Sequence, residues 1–172
     1  MERLYLYGEI DYISVQPIIE RLNYLRDHCP RDPDAGLYKV VLHISTFGGN
    51  IYDGLALLQT IQSINTESCL VKVNTHIDSR ACTTGFLVWL AGNMRTVYAE
   101  SRVWLSEVEF GVEGTKEFIE ESLRSSTFLN TSLQRYLERE TTVMDLFKDG
   151  SKTRILIGQD IMDVLKGRDG LG

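Results

Sequence analysis

Apolar positions along the chain switch repeatedly between two periods. Residues 3–7 and 40–44 are short, mostly apolar runs of the kind that form buried strands. Residues 15–28 instead place Val15, Ile18, Ile19, Leu22 and Leu25 at helical spacing. Residues 29–36 are dense in Pro, Asp and Gly and read as a surface loop. The second strand runs into Thr46-Phe47-Gly48-Gly49-Asn50, and a helix is expected over 52–64. The cycle then repeats, with a strand over 69–73, a turn at Ser79-Arg80-Ala81-Cys82 and an apolar helix over 83–92. Short strands are expected at 96–98, 102–105 and 155–157, and a short helix at 159–165. Beyond Gly114, Ile119, Leu123, Leu129, Leu133 and Tyr136 share one stripe of a long helix. Strands alternating with crossover helices predict an α/β layered domain.

Composition acts mainly by exclusion. With 172 residues, 43% hydrophobic and 24% charged, the chain fits one ordinary globular domain. Asp and Glu outnumber Lys and Arg by 24 to 18, a net charge of −6, which argues against a nucleic-acid partner held through phosphates. No apolar run approaches the ~20 residues of a membrane span, and Met1 is followed by Glu2-Arg3 rather than a secretory signal. Cys29, Cys69 and Cys82 are odd in number and form no Cys-x-x-Cys pair. A disulfide framework and a cysteine metal site are therefore not expected, and the reducing cytoplasm is; no cofactor is expected either.

Two strand-to-helix junctions carry the chemistry. Gly48-Gly49 lets main-chain N–H groups approach a ligand carbonyl with no Cβ in the way. Ala81-Cys82-Thr83-Thr84-Gly85 is a small-residue turn entering an apolar helix, the kind of elbow that presents a nucleophile beside a backbone N–H for an oxyanion. Either junction alone is a common tight turn.

Together, and in this order, they resemble the proteolytic subunit of the Clp protease, a member of the ClpP/crotonase superfamily. The family's Ser-Pro-Gly-Gly is matched by Thr46-Phe47-Gly48-Gly49, and its Ala-Ser-Met-Gly nucleophile turn by Cys82-Thr83-Thr84-Gly85. Ser-Arg-Val-Met-Ile-His is matched by Ser101-Arg102-Val103-Trp104-Leu105-Ser106, and the later Gln-Gly by Glu113-Gly114. Asp-Arg-Phe-Leu is similar to Thr153-Arg154-Ile155-Leu156. The resemblance implies a repeated ββα superhelix with a protruding handle of a strand and a long helix. It divides a single domain over 1–172 into a head, 1–106 and 150–172, and a handle, 107–149.

The departures bear on activity. Where the family has a Ser-His-Asp triad, this chain has Thr83, Ser106 and Thr153. A hydroxyl attacks a carbonyl usefully only when a neighbouring base takes its proton, and Ser106 cannot be that base. Loss of a triad costs on the order of 10⁶ in rate, leaving ~10³–10⁴-fold over water from an oxyanion hole and binding. The oxyanion-hole positions fall on Gly49 and Thr84. His28 is expected to end a helix, where the dipole favours a cation, and neither His43 nor His76 lies on the strand after Ser101 that should face the nucleophile. Cys82 is expected to point into the core, and Asp149 is a displaced acid with no histidine to orient.

In the family, two rings of seven subunits enclose a chamber and an ATP-driven unfoldase docks outside. A homo-oligomeric ring, heptamer or double heptamer, or mixing with another such subunit, is therefore expected. The chain starts at the family's first core strand, so the axial-loop segment is expected to be absent. The docking-pocket aromatics fall on Val41, His43 and Ser63, so docking of a Clp ATPase is expected to be weak or absent. The handle strand reads Glu107-Val108-Glu109-Phe110-Gly111-Val112-Glu113, with acidic and apolar residues on opposite faces. Either it is a solvated edge or like charges meet between rings and make pairing depend on pH and salt. Two other functions share the fold, a peptidase using Thr83 with another base and an acyl-CoA enzyme polarising a thioester at Gly48-Gly49.

Overall fold

A computed structural model describes residues 1–29, 36–67, 70–106 and 113–165. Among these residues one sheet holds six strands, β1 (Glu2–Ile10), β2 (Tyr38–Gly49), β3 (Val71–Cys82), β4 (Arg95–Val97), β5 (Arg102–Ser106) and β6 (Thr153–Ile157). The helices are α1 (Tyr12–His28), α2 (Ile51–Thr66), α3 (Thr83–Leu90), α4 (Lys116–Glu140) and α5 (Gln159–Asp163), with a 3-10 turn at Val143–Phe147. The strand order is β1-β2-β3-β5-β6, and β4 shares with β5 the outer edge of β3. All pairings are parallel except β5–β6. The α/β class is the one the alternating periods predict.

Helix starts follow local chemistry. Asp11 Oδ1 accepts from Ser14 N–H at 2.8 Å while Asp11 N–H donates to Ser14 Oγ at 3.0 Å, a reciprocal cap that opens α1. Asn50 Oδ1 accepts from the N–H groups of Tyr52 and Asp53 and opens α2. Helix α3 needs no polar face, because Phe86, Leu87, Val88 and Trp89 are all buried.

In β2, Val40, Leu42, Ile44 and Thr46 are buried while the residues between them are partly or fully exposed. Burial alternates in the same way in β3 as far as Asp78, so one face of the sheet forms the core with α1, α2 and α3. Buried hydroxyls are spent on stitching: Thr46 Oγ1 donates to Gly8 O at 2.6 Å, Thr75 Oγ1 to Trp89 O at 2.6 Å and Ser101 Oγ to Ile77 O at 2.8 Å. Asn65 near the end of α2 bridges the N–H and C=O of Val73 and the carbonyl of Ala91, joining α2 to β3 and to the end of α3.

Two expectations about β3 need correction. Residues 79–82 are strand, not turn: Arg80, Ala81 and Cys82 pair with Arg102, Val103 and Trp104. The register explains this, since Ile44 pairs Ile77 and Thr46 pairs Ala81, so that two steps along β2 run against four along β3. A bulge absorbs the excess and the strand continues. In consequence Ala81, not Cys82, points into the core; Cys82 is half-buried on the other side.

The stripe of α4 is buried only in its second half. Leu129 and Leu133 are buried and Tyr136 packs against the core, whereas Leu123 is 58% exposed and the first turns contain no buried residue. Among the described residues no helix is long and apolar enough to cross a membrane.

Candidate active site

β3 passes into α3 with no intervening loop, so its pairing with β5 determines where Thr83 stands. Thr83 meets the end of β5. Its Oγ1 accepts from Ser106 N–H at 3.0 Å and donates to Ser106 C=O at 3.1 Å. Ser106 Oγ lies 3.4 Å away. The antiparallel strand β6 then sets Thr153 directly opposite Ser106 in register. The structure thus brings Thr83, Ser106 and Thr153 into one neighbourhood, and all three bear hydroxyls that neither gain nor lose a proton near neutrality.

Beside them opens a cleft of about 460 Å³. α3 contributes Thr83 and Leu87, β5 contributes Leu105 and Ser106, α4 contributes Leu133 and Leu137, and the 3-10 turn contributes Val143 and Phe147. Among the described residues, Lys152 is the one ionisable side chain in its lining. The cleft can therefore receive an apolar group, and among the described residues no ionisable side chain hydrogen-bonds Thr83.

The glycine turn is built for close approach. Gly49 has φ +146°, and a Cβ there would come within 2.2 Å of Ile10 O, so β1 can seat against β2 only if residue 49 has no side chain. A Cβ on Gly48 would stand 3.4 Å from Cys82 Cβ, which places the glycine turn against the elbow. Gly48 N–H is already donated to Thr46 Oγ1 at 3.0 Å. Thr84 is buried, and Cys82, the N-cap of α3, makes no side-chain hydrogen bond to the first turn. The leading N–H groups of α3 thus receive no side-chain cap from Cys82.

The other candidates lie elsewhere or are engaged. His28 Nδ1 is 2.9 Å from Tyr24 O at the end of α1. His43 bonds Asp78 and His76 bonds Thr96, whereas among the described residues Thr83 bonds Ser106 alone. Burial pushes the Cys82 thiol up, the reverse of an activated nucleophile. Asp149 accepts from Ser151 N–H at 3.0 Å and pairs with Arg154, and these two hold its carboxyl down at about 2. Glu107, Glu109 and Phe110 of the handle strand lie outside the described residues, while Glu113 is exposed. Among the described residues no group of three His, Cys, Asp or Glu side chains is placed to hold a metal ion.

Sequence reasoning missed the far wall of the cleft. Val143, Met144 and Phe147 reach it from a 3-10 turn, whose short apolar run carries no helical or strand period to read. It also missed Asp78, because only the parallel register of β2 and β3 sets that carboxylate beside His43. Compared with known protein families, residues 1–163 match the family model described as Clp protease.

Proposed function

The chain belongs to the Clp protease family, and we propose that within it this protein is a cytoplasmic, ring-forming subunit that does not cleave peptides itself. It acts by assembling with copies of itself or with an active subunit of the same family. The observation that carries this reading is the state of the Thr83 hydroxyl. Both backbone groups of Ser106 engage it, at 3.0 and 3.1 Å, and among the described residues no imidazole or carboxylate does. A threonine held by main-chain groups has no hydrogen-bonded base among the described residues to take its proton, and nucleophilic attack needs one. Binding without turnover is what remains. The apolar walls of the cleft suit a side chain, and the start of α3 suits a carbonyl oxygen.

Assembly is supported by the bare first half of α4, where Phe118, Leu123 and Phe128 are 57, 58 and 76% exposed. Rings of seven, single or paired, are the form the family implies. Weak docking of a Clp ATPase is supported by Val41, His43 and Ser63, which the resemblance aligns with the family's aromatic anchors. The Ser63 hydroxyl donates to Glu67 at 2.8 Å, and the His43 ring is held by Asp78.

Turnover of small fluorogenic peptides by the purified chain tests the reading. No hydrolysis above buffer is expected. Thr83→Ser with Ser106→His, and Thr153→Asp added, is expected to gain measurable peptidase activity. Turnover by the unaltered chain that disappears in Thr83→Ala overturns the proposal.

A further inference from the structure

The sheet face turned away from the core carries a group of titratable side chains that the cleft does not use. Asp78 of β3 is its centre. Asp78 Oδ1 accepts from His43 Nδ1 of β2 at 2.8 Å, and Oδ2 accepts from the Tyr7 hydroxyl of β1. His76, two residues earlier on β3, has Nε2 only 3.4 Å from the same Oδ1. That nitrogen is buried and makes no hydrogen bond. The other ring nitrogen is fixed at 2.7 Å by Thr96 Oγ1, immediately after the start of β4. One carboxylate oxygen therefore lies within reach of two imidazoles and satisfies one of them.

The rings form a continuous row. Tyr5 stacks on His43 at 5.3 Å, His43 meets His76 edge-on at 5.5 Å, and His76 meets Tyr98 at 4.4 Å. Register sets the row, since Tyr5 pairs His43, His43 pairs His76 and His76 pairs Thr96. The titratable groups facing His76 across this surface are Asp78 on its own strand, His43 on β2, Tyr5 and Tyr7 on β1, and Tyr98 just beyond β4. The nearby cations are committed elsewhere: the Arg80 guanidinium lies 3.6 Å over the Phe47 ring, and Lys72 Nζ donates to Asn65 O and Glu67 O.

We propose that Asp78 is a proton-operated latch: with His76 neutral it ties β1 to β3 across β2 through Tyr7 and His43, and a proton on His76 draws the carboxylate away and frees β1. The competition is electrostatic. The His43–Asp78 bond already has an ionised acceptor, and a charge on the His76 ring adds direct attraction between opposite charges to the donor it presents 3.4 Å from that oxygen. A charged His76 would therefore claim the Oδ1 that His43 now holds, and the carboxylate would turn from Tyr7 as it did so. β1 is an edge strand with β2 as its sheet neighbour, so the Tyr7–Asp78 bond is its side-chain tie to β3.

The direction in pH follows from burial. Burial, and secondarily His43, hold His76 below the ordinary imidazole value, with Asp78 opposing them. The folded chain then binds fewer protons at His76 than the unfolded chain does. The latch is fully closed above about pH 6.5 and weakens as pH falls from there through the lower value of the folded His76 ring. The Tyr7 hydroxyl, pushed up to about 12 chiefly by its bond to Asp78, keeps its proton throughout. β1 also carries Ile10, whose carbonyl accepts from Asn50 N–H at 2.7 Å, so the freed strand is the one that seats the glycine turn.

Hydrogen exchange on the full chain, at about pH 7.5 and about pH 5.5 and corrected for intrinsic rates, tests the latch on either side of the imidazole range. The β1 amides that donate to β2 are expected to open several-fold more at the lower pH, while those of Leu57 and Ile61 in α2 keep their protection. His76→Gln keeps an N–H donor that does not titrate and is expected to abolish the step. Equal protection of β1 at both pH values in the unaltered chain overturns the proposal, as does a step that survives undiminished in His76→Gln. Should that variant fail to fold, proton NMR on the unaltered chain decides. Tyr7 ring resonances that move with the His76 titration support the latch, and Tyr7 resonances that ignore it refute it.

Discussion

Thr83 Oγ1 holds both the N–H and the C=O of Ser106, closing the corner between α3 and the end of β5. The hydroxyl is doing a structural job at the residue that the sequence resemblance aligns with the family's nucleophile. Thr83→Val, which keeps the shape and removes the oxygen, is expected to lower stability by about 1 kcal/mol, read from the urea midpoint. Thr83→Ser keeps the oxygen and is expected to stay within about 0.5 kcal/mol of the unaltered chain. Equal midpoints for the Val and Ser variants would show that the bond contributes nothing.

Gly49 and Gly8 separate steric from conformational demands. Both have positive φ, but a Cβ on Gly49 meets Ile10 O at 2.2 Å while one on Gly8 meets nothing within 4 Å. Gly49→Ala is expected to cost more than about 3 kcal/mol, since β1 must move off β2, and Gly8→Ala only about 1 kcal/mol of backbone strain. Thermal unfolding of the two variants side by side checks the order.

Asp149 gives stability a definite dependence on acid. Ser151 N–H and Arg154 hold its carboxyl at about 2, below the ordinary 3.8. The folded chain therefore releases this proton more readily than the unfolded one. The contribution is present above the ordinary value and disappears as pH falls towards 2. Carbon-detected NMR titration of Asp149 should show the low midpoint, and Arg154→Ala should raise it.

The proposed assembly through α4 is testable apart from folding. Phe128 is 76% exposed, so Phe128→Ser removes an apolar contact without opening a cavity in the chain itself. Sedimentation velocity is expected to show smaller species for this variant, with circular dichroism unchanged. An unchanged distribution would mean that the first half of α4 is not the contact.

Much of this fold is legible from the run and spacing of apolar residues, because α1 and α2 bury one face and the strands are short apolar segments. Val40, Leu42 and Ile44 declare β2, and Leu22 and Leu25 declare α1. What period cannot convey is register. The bulge that lets Thr46 pair with Ala81 extended β3 through residues expected to turn, and that extension sets which neighbour of Thr83 faces the core. Of the candidate site, the grouping of Thr83, Ser106 and Thr153 was readable through the family resemblance. The hydrogen bonds that occupy Thr83 were not, because they run to the backbone of Ser106, and a main-chain partner leaves no mark in side-chain identity. Register also hid the Asp78 cluster, because parallel pairing brings Tyr7 of β1 and His43 of β2 to His76 and Asp78 of β3 across tens of residues of sequence.

A helix of 25 residues that leaves its opening turns without a packing partner among the described residues gains little cohesion there from its own chain. If other copies provide what is lacking, dilution alone should loosen α4: its melting point would climb with protein concentration while that of the sheet stayed put.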